Sequence, residues 1–140
     1  MIRHADNDHD ITRCLPVMRQ LRPHIPQADL LPRIRRQMRQ GYRLAMLEGD
    51  GEVIALAGYR LSENLAWGRF LYVDDLITDE SRRSHGAGKA LLSWLADVAR
   101  KENCQQLHLD AGVQRHAAHR FYLREGLHVA GHHFTQFLNK

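Results

Sequence analysis

The chain has 140 residues, a formal net charge of +4, and 44% hydrophobic against 26% charged residues. That balance predicts one water-soluble globular domain, residues 1–140, and excludes a collagen-like or disordered chain. The modest basic excess suits an anionic ligand without demanding one, so nucleic acid stays open on charge alone.

Met1 to Asp10 is polar and charged, which predicts no secretory signal, and no apolar run approaches the roughly 20 residues of a membrane helix. Cys14 and Cys104, the two cysteines, lie far apart in no pairing motif, which predicts free thiols in a reducing cytoplasm. Residues 1–4 read as a short strand. Ile11, Cys14, Leu15, Met18 and Leu21 then fall at helical spacing, with Pro16 in a first turn or at a bend, and Pro23 and Pro26 beyond the end. A second helix carries Leu31, Ile34 and Met38 inward and Arg33, Arg35, Arg36 and Arg39 around its remaining surface, and Gly41 closes it. A basic helical face of this kind is a solvated surface, a wall for an acidic acceptor or a nucleic-acid contact. No base-reading motif accompanies it.

Tyr42–Leu47 and Val53–Tyr59 read as strands joined by Glu48-Gly49-Asp50-Gly51, a hairpin signal. A turn at Asn64 leads into a third strand, in which Leu71, Val73 and Ile77 alternate with Tyr72, Asp74, Leu76 and Thr78. After Gly86 the period changes. Ala87, Leu91, Trp94, Leu95 and Val98 recur at i, i+4, i+7, i+8 and i+11 of a helix running to about Lys101. Gln106–Asp110 is predicted as a strand, Arg115–Glu125 as a helix stopped by Gly126, and Leu127–Leu138 as one or two last strands. The order β-α-α-β-β-β-α-β-α-β-β implies an α/β fold. Its sheet is mixed and mostly antiparallel, a central parallel β-α-β pair closes it, and helices lie on both sides.

The turn between the third strand and the long helix has a chemical use. A helix start leaves backbone N–H groups unpaired at the positive end of the dipole. Gly86 and Gly88 remove side chains from those amides, and Arg82, Arg83 and Lys89 add charge beside them, which predicts a phosphate or pyrophosphate guest. Arg83 and Ala90 stand where a Walker A loop needs Gly and Ser or Thr. Leu91 stands where a dinucleotide fingerprint needs its third glycine.

Arg83-Ser84-His85-Gly86-Ala87-Gly88 resembles the R/Q-x-x-G-x-G/A signature of the GCN5-related N-acetyltransferases, the GNAT family, and the element order is similar along nearly the whole chain. Ala118-His119-Arg120-Phe121-Tyr122-Leu123-Arg124-Glu125-Gly126-Leu127 resembles the family's A-x-x-F/L-Y-x-x-x-G-F/L segment. The resemblance implies acetyl-CoA as acetyl donor, its pyrophosphate cradled by Arg82, Arg83, Ser84, His85, Gly86, Ala87, Gly88 and Lys89. It also implies that the backbone of Leu76, Ile77 and Thr78 pairs with the pantetheine amides, with Ala118 and Arg115 nearby; Arg115 stands where members often carry asparagine. A homodimer is a further expectation of the same kind.

Acetyl transfer to an amine needs a neutral nucleophile, a polarised thioester carbonyl and a proton source for the leaving sulfur. By resemblance Tyr122 supplies that proton, and one of two adjacent carboxylates, Asp74 or Asp75, takes the amine proton. Adjacent strand residues point to opposite faces, so one is expected toward the acceptor, and the bulge that the resemblance implies in this strand could turn either side chain inward. No serine or cysteine nucleophile motif is present, which predicts direct transfer to a primary amine of a small molecule or a protein. His116 and His119, and His132-His133, lack a complementary ligand set, and no metal is expected. A non-catalytic acyl-CoA sensor and a nucleic-acid-binding module are the competing classes.

Overall fold

The computed structural model describes residues 1–83 and 85–139. It resolves into two compact units, Met1–Leu109 and Asp110–Lys140. The first holds β1 (Ile2–His4), α1 (Asp8–Leu21), α2 (Gln27–Met38), β2 (Arg43–Gly49), β3 (Glu52–Asn64), β4 (Gly68–Thr78), a 3-10 turn (Glu80–Arg82), α3 (Ala87–Lys101) and β5 (Gln106–Leu109). The second holds α4 (His116–Arg124). No helix among the described residues is long and apolar enough to cross a membrane.

The five strands form one sheet in chain order, antiparallel throughout except for the parallel pair β4–β5. The mixed sheet expected from the sequence is therefore present. A two-residue turn, Asp50 and Gly51 at φ 55° and 77°, closes the β2–β3 hairpin, because a primed turn matches the strand twist and requires positive φ at both positions.

Two cores share this sheet. Ile11, Cys14, Leu15, Val17 and Met18 of α1 and Leu30 and Ile34 of α2 pack with Tyr42, Leu44, Met46, Leu56 and Ile77 on one face. Ala87, Leu91, Leu95 and Ala99 of α3 pack with Ala55, Ala57, Tyr59, Leu71 and Val73 on the other. The side chain of Asn7 caps α1 by accepting from the Asp10 amide at 2.9 Å. Pro16 lies beyond the first turn, at an exposed position where water can serve the carbonyl it leaves unpaired. Cys14 is fully buried with its sulfur 3.8 Å from that of Met46, and burial pushes its thiol up to about 12.

Two of the expected patterns differ from the structure. Ile77 belongs to the α1–α2 core and Val73 to the α3 core, so a single alternation does not run through β4. Leu127–Leu138, read as strands, carries no helix or strand, and Val129, Phe134, Phe137 and Leu138 are exposed. A strand needs a ladder partner as well as propensity, and among the described residues this segment has none.

At the β1–β2 edge, Arg3 binds Asp10 at 2.8 Å and Glu48 at 2.7 Å, while Arg13 binds Glu48 at 2.8 Å. The Arg3 guanidinium holds the Asp10 carboxyl below its usual range, and Arg3 and Arg13 together do the same to Glu48. A carboxylate depressed in the folded state stabilises fully above its unfolded value and loses that contribution as pH falls toward the folded one. The urea midpoint is accordingly expected to drop as pH is lowered below about 4. Asp10→Asn should lower the midpoint at neutral pH and flatten that acid slope, whereas an unchanged slope would remove Asp10 as its source.

Candidate active site

β3 and β4 are out of step by one residue. Gly58 pairs with Asp75 and Tyr59 with Val73, which leaves Asp74 as an extra residue on β4. A bulge of this kind puts two successive side chains on one side. Val73 and Leu76, three apart, both join the α3-side core, and Asp74 and Asp75 both meet the α1–α2 side. The opposite faces expected from alternation are thus corrected, and the bulge that the resemblance implied in this strand is present.

Both carboxylates are held by partners distant in sequence. Asp75 accepts from Arg22 at 2.8 and 3.0 Å on one oxygen and from the Tyr42 hydroxyl at 2.7 Å on the other. Arg22 also donates to the Asp74 carbonyl at 3.0 Å. Asp74 accepts from Arg60 Nε at 2.7 Å through one side-chain oxygen, and Arg60 donates to Gln37 at 3.2 Å while lying over the Tyr42 ring at 5.5 Å. Burial, reinforced by the Asp75 carboxylate, pushes the Tyr42 phenol well above its ordinary value, so this hydroxyl stays a donor. Gly58 provides the space, since a Cβ there would overlap the Tyr42 hydroxyl and ring. None of Arg22, Gln37, Tyr42 or Arg60 was singled out in sequence, because no spacing rule links positions 14 to 53 residues apart.

The parallel ladder stops at Val73, paired with Leu109. Beyond it Leu76, Ile77 and Thr78 pair with Ala57, Leu56 and Ala55 of β3 and have no described strand on their other side. Every second N–H and C=O along that edge is therefore available to an extended ligand.

The β4–α3 connection is tied down before it reaches the helix. Gln20 donates to Asp79 at 3.1 Å and accepts from the Glu80 amide at 2.9 Å, and Asp79 caps the 3-10 turn at Ser81. Arg82, expected at a phosphate, pairs with Glu52 at 2.9 Å. Arg83 is extended and exposed; Ser84 lies outside the described residues; His85 is exposed. Gly86 caps α3 at φ 80°, with no side chain capping the helix start. Ala87 is buried and anchors that start on the α3-side core, Gly88 is half-buried, and Lys89 is exposed. Arg83 and Lys89 form no ion pair with a described residue. These unpaired amides and cations fit a phosphate group.

In the second unit, Arg115 is the N-cap of α4 without a side-chain cap bond, and Ala118 lies one turn before Tyr122 on the same face. Gly126 at φ 98° ends the helix, with the Leu127 amide bonded to the Tyr122 carbonyl at 3.0 Å. Burial pushes the Tyr122 phenol above its ordinary value, and Arg115 opposes that shift. The phenol is protonated at neutral pH. Among the described residues, no group of three or more His, Cys, Asp and Glu is arranged to hold a metal.

Residues 9–127 match the acetyltransferase (GNAT) family. The chain is 34% identical over 108 residues to the uncharacterized N-acetyltransferase YhdJ of Bacillus subtilis, covering 76% of each protein. It is 31% identical over 98 residues to the aminoalkylphosphonate N-acetyltransferase of Salmonella typhimurium, covering 69% of this chain and 62% of that protein. In fold it is similar to AAC(6')-Iy, solved with the bisubstrate analog CoA-S-monomethyl-acetylneamine. The TM-score there is 0.87 at 14% identity, over 100% of this chain and 98% of that one. The Vibrio cholerae integron cassette protein VCH_CASS6 follows at TM-score 0.85 and 21% identity, over 99% and 92%. With most of the chain matched in sequence and its fold matched along the whole length, the chain belongs to the GNAT acetyltransferase family.

Proposed function

We propose that residues 1–140 act as one N-acetyltransferase domain, moving acetyl from acetyl-CoA to a primary amine by direct transfer in a ternary complex. The observation that carries this reading is the unpaired β4 edge from Leu76 to Thr78 leading into the uncapped start of α3. An extended arm ending in phosphates fits that sequence of backbone donors and cations. Acetyl-CoA, when bound, supplies an acetyl group activated as a thioester and a thiol leaving group.

The backbone of Leu76, Ile77 and Thr78 holds the pantetheine amides. The amides from Gly86 to Lys89, with the Arg83 and Lys89 side chains, hold the pyrophosphate. Arg82 takes a lesser part, because Glu52 already neutralises it. Asp74 accepts the proton lost by the amine as its nitrogen bonds the carbonyl carbon, and the Tyr122 hydroxyl donates one to the sulfur as the C–S bond breaks. Asp75, with both oxygens occupied, holds Arg22 and Tyr42 in place. The Salmonella relative's name supports a small-molecule amine over a protein amino group. Free cysteines, one of them buried, fit a reducing cytoplasm.

Calorimetric titration with acetyl-CoA, with CoA and ATP as comparisons, tests the cofactor. Arg83→Ala is expected to weaken acetyl-CoA about tenfold, the loss of one charge-assisted hydrogen bond. An unchanged dissociation constant would remove the phosphate role of this loop.

A further inference from the structure

The carboxylate pair and its arginines leave an uneven set of unused atoms. Asp75 is the more fully engaged, since Arg22 takes one oxygen and Tyr42 the other. Asp74 uses one oxygen on Arg60, and its second makes no hydrogen bond with a described residue. Arg60 uses Nε on Asp74 and one terminal nitrogen on Gln37, and its other terminal nitrogen has no described partner. The Asp74 and Arg60 side chains are 25% and 31% exposed, so the pair is partly open to solvent. One carboxylate oxygen and one guanidinium N–H are therefore presented together, joined by their own ion pair.

Charge beyond this pair is one-sided. Arg22 and Arg60 cancel Asp75 and Asp74, which leaves α2 to set the local field. Gln37, the residue that steadies Arg60, lies one turn from Arg33 on the same face of α2. Arg33, Arg36 and Arg39 are exposed and form no ion pair with a described residue, whereas Arg35 is paired with Asp8. Asp29, in the first turn, is the one acid of the helix. A polycationic acceptor meets repulsion on such a surface, and an anionic group is drawn to it.

We propose that the acceptor is a small zwitterionic amine, with a carboxylate or phosphonate a few bonds from the amine. Asp74 takes the amine, and Arg60, backed by Arg33, takes the anionic group. The proposal rests on the acetyltransferase reading and names its substrate class. Tetrahedral phosphonate and planar carboxylate share the chemistry of an anion accepting from guanidinium N–H groups, and the acceptor panel separates them.

Thiol release is measured with acetyl-CoA and four amines: 1-aminoethylphosphonate, alanine, alaninamide and spermidine. One of the two zwitterions is expected to exceed both alaninamide and spermidine at least tenfold in kcat/KM, and the better of the two identifies the anionic group. Arg60→Gln should collapse that ratio mainly through the zwitterion's KM. Arg33→Gln, which keeps the Asp74–Arg60 pair, should reduce the ratio less than Arg60→Gln does. Equal or better turnover of alaninamide or spermidine would overturn the substrate class while leaving the acetyltransferase reading intact. A ratio insensitive to both substitutions would overturn the arginine assignment. No release with any of the four amines, in protein that binds acetyl-CoA, would overturn the substrate class.

Discussion

Tyr122→Phe is expected to lower kcat by roughly 100-fold or more, the usual range for losing a positioned proton donor, with the acetyl-CoA dissociation constant unchanged. The substitution removes one oxygen and keeps the ring that packs at 5.3 Å against Phe121. Binding and folding should therefore survive while proton delivery to the sulfur fails. The pH dependence follows from the direction of the phenol's shift. A general acid works while protonated, and burial raises Tyr122 above its ordinary value of about 10. Activity lost through its ionisation should thus appear only in strongly alkaline solution, and the fall should be missing from the phenylalanine variant. Steady-state thiol release with calorimetric binding checks both parts. Unaltered kcat would remove Tyr122 as the acid.

Gly58→Ala is the substitution expected to damage the fold most for its size. The added Cβ would overlap the Tyr42 ring and hydroxyl, and Tyr42 is nearly fully buried. Overpacking costs about 1–3 kcal/mol, and separating Tyr42 from Asp75 leaves a half-buried carboxylate oxygen unpaired at a further cost of about 1–3 kcal/mol. Set against a typical total of about 5–15 kcal/mol, the sum should lower Tm by roughly 10 °C. Gly58→Ala combined with Tyr42→Leu should be less destabilised than additivity predicts, because the collision partner is gone. A single variant melting within about 2 °C of the parent would refute the packing account.

Where the information was local, the sequence carried it. The strand before Asp79, the glycines at 86 and 88 and the helix after them follow from a change of period and from conformational freedom at one turn, all within a short stretch of chain. The hairpin at Asp50-Gly51 is of the same kind. The sidedness of Asp74 and Asp75 was not legible from alternation, which puts them on opposite faces; only the resemblance pointed to a bulge, because a bulge is a property of β4 paired with β3. Arg82 read as a phosphate contact from its position alone, yet Glu52, 30 residues earlier, pairs with it. Leu127–Leu138 shows strand propensity without a partner, and propensity is the part a sequence displays. The Arg22–Asp75–Tyr42 and Arg60–Asp74 groups join β3, β4, the residue just before β2 and the end of α1, which only the folded sheet brings together.

Cys14, sealed between α1 and Met46, gives the protein a built-in chemical clock. Its thiol is neither ionised nor reachable in the native state, so an alkylating reagent meets Cys104 first. Cys14 can react only while α1 is lifted from the sheet. The slow phase of its labelling therefore counts openings of the layer that positions Arg22 over Asp75, and bound ligands that clamp this layer will lengthen its interval.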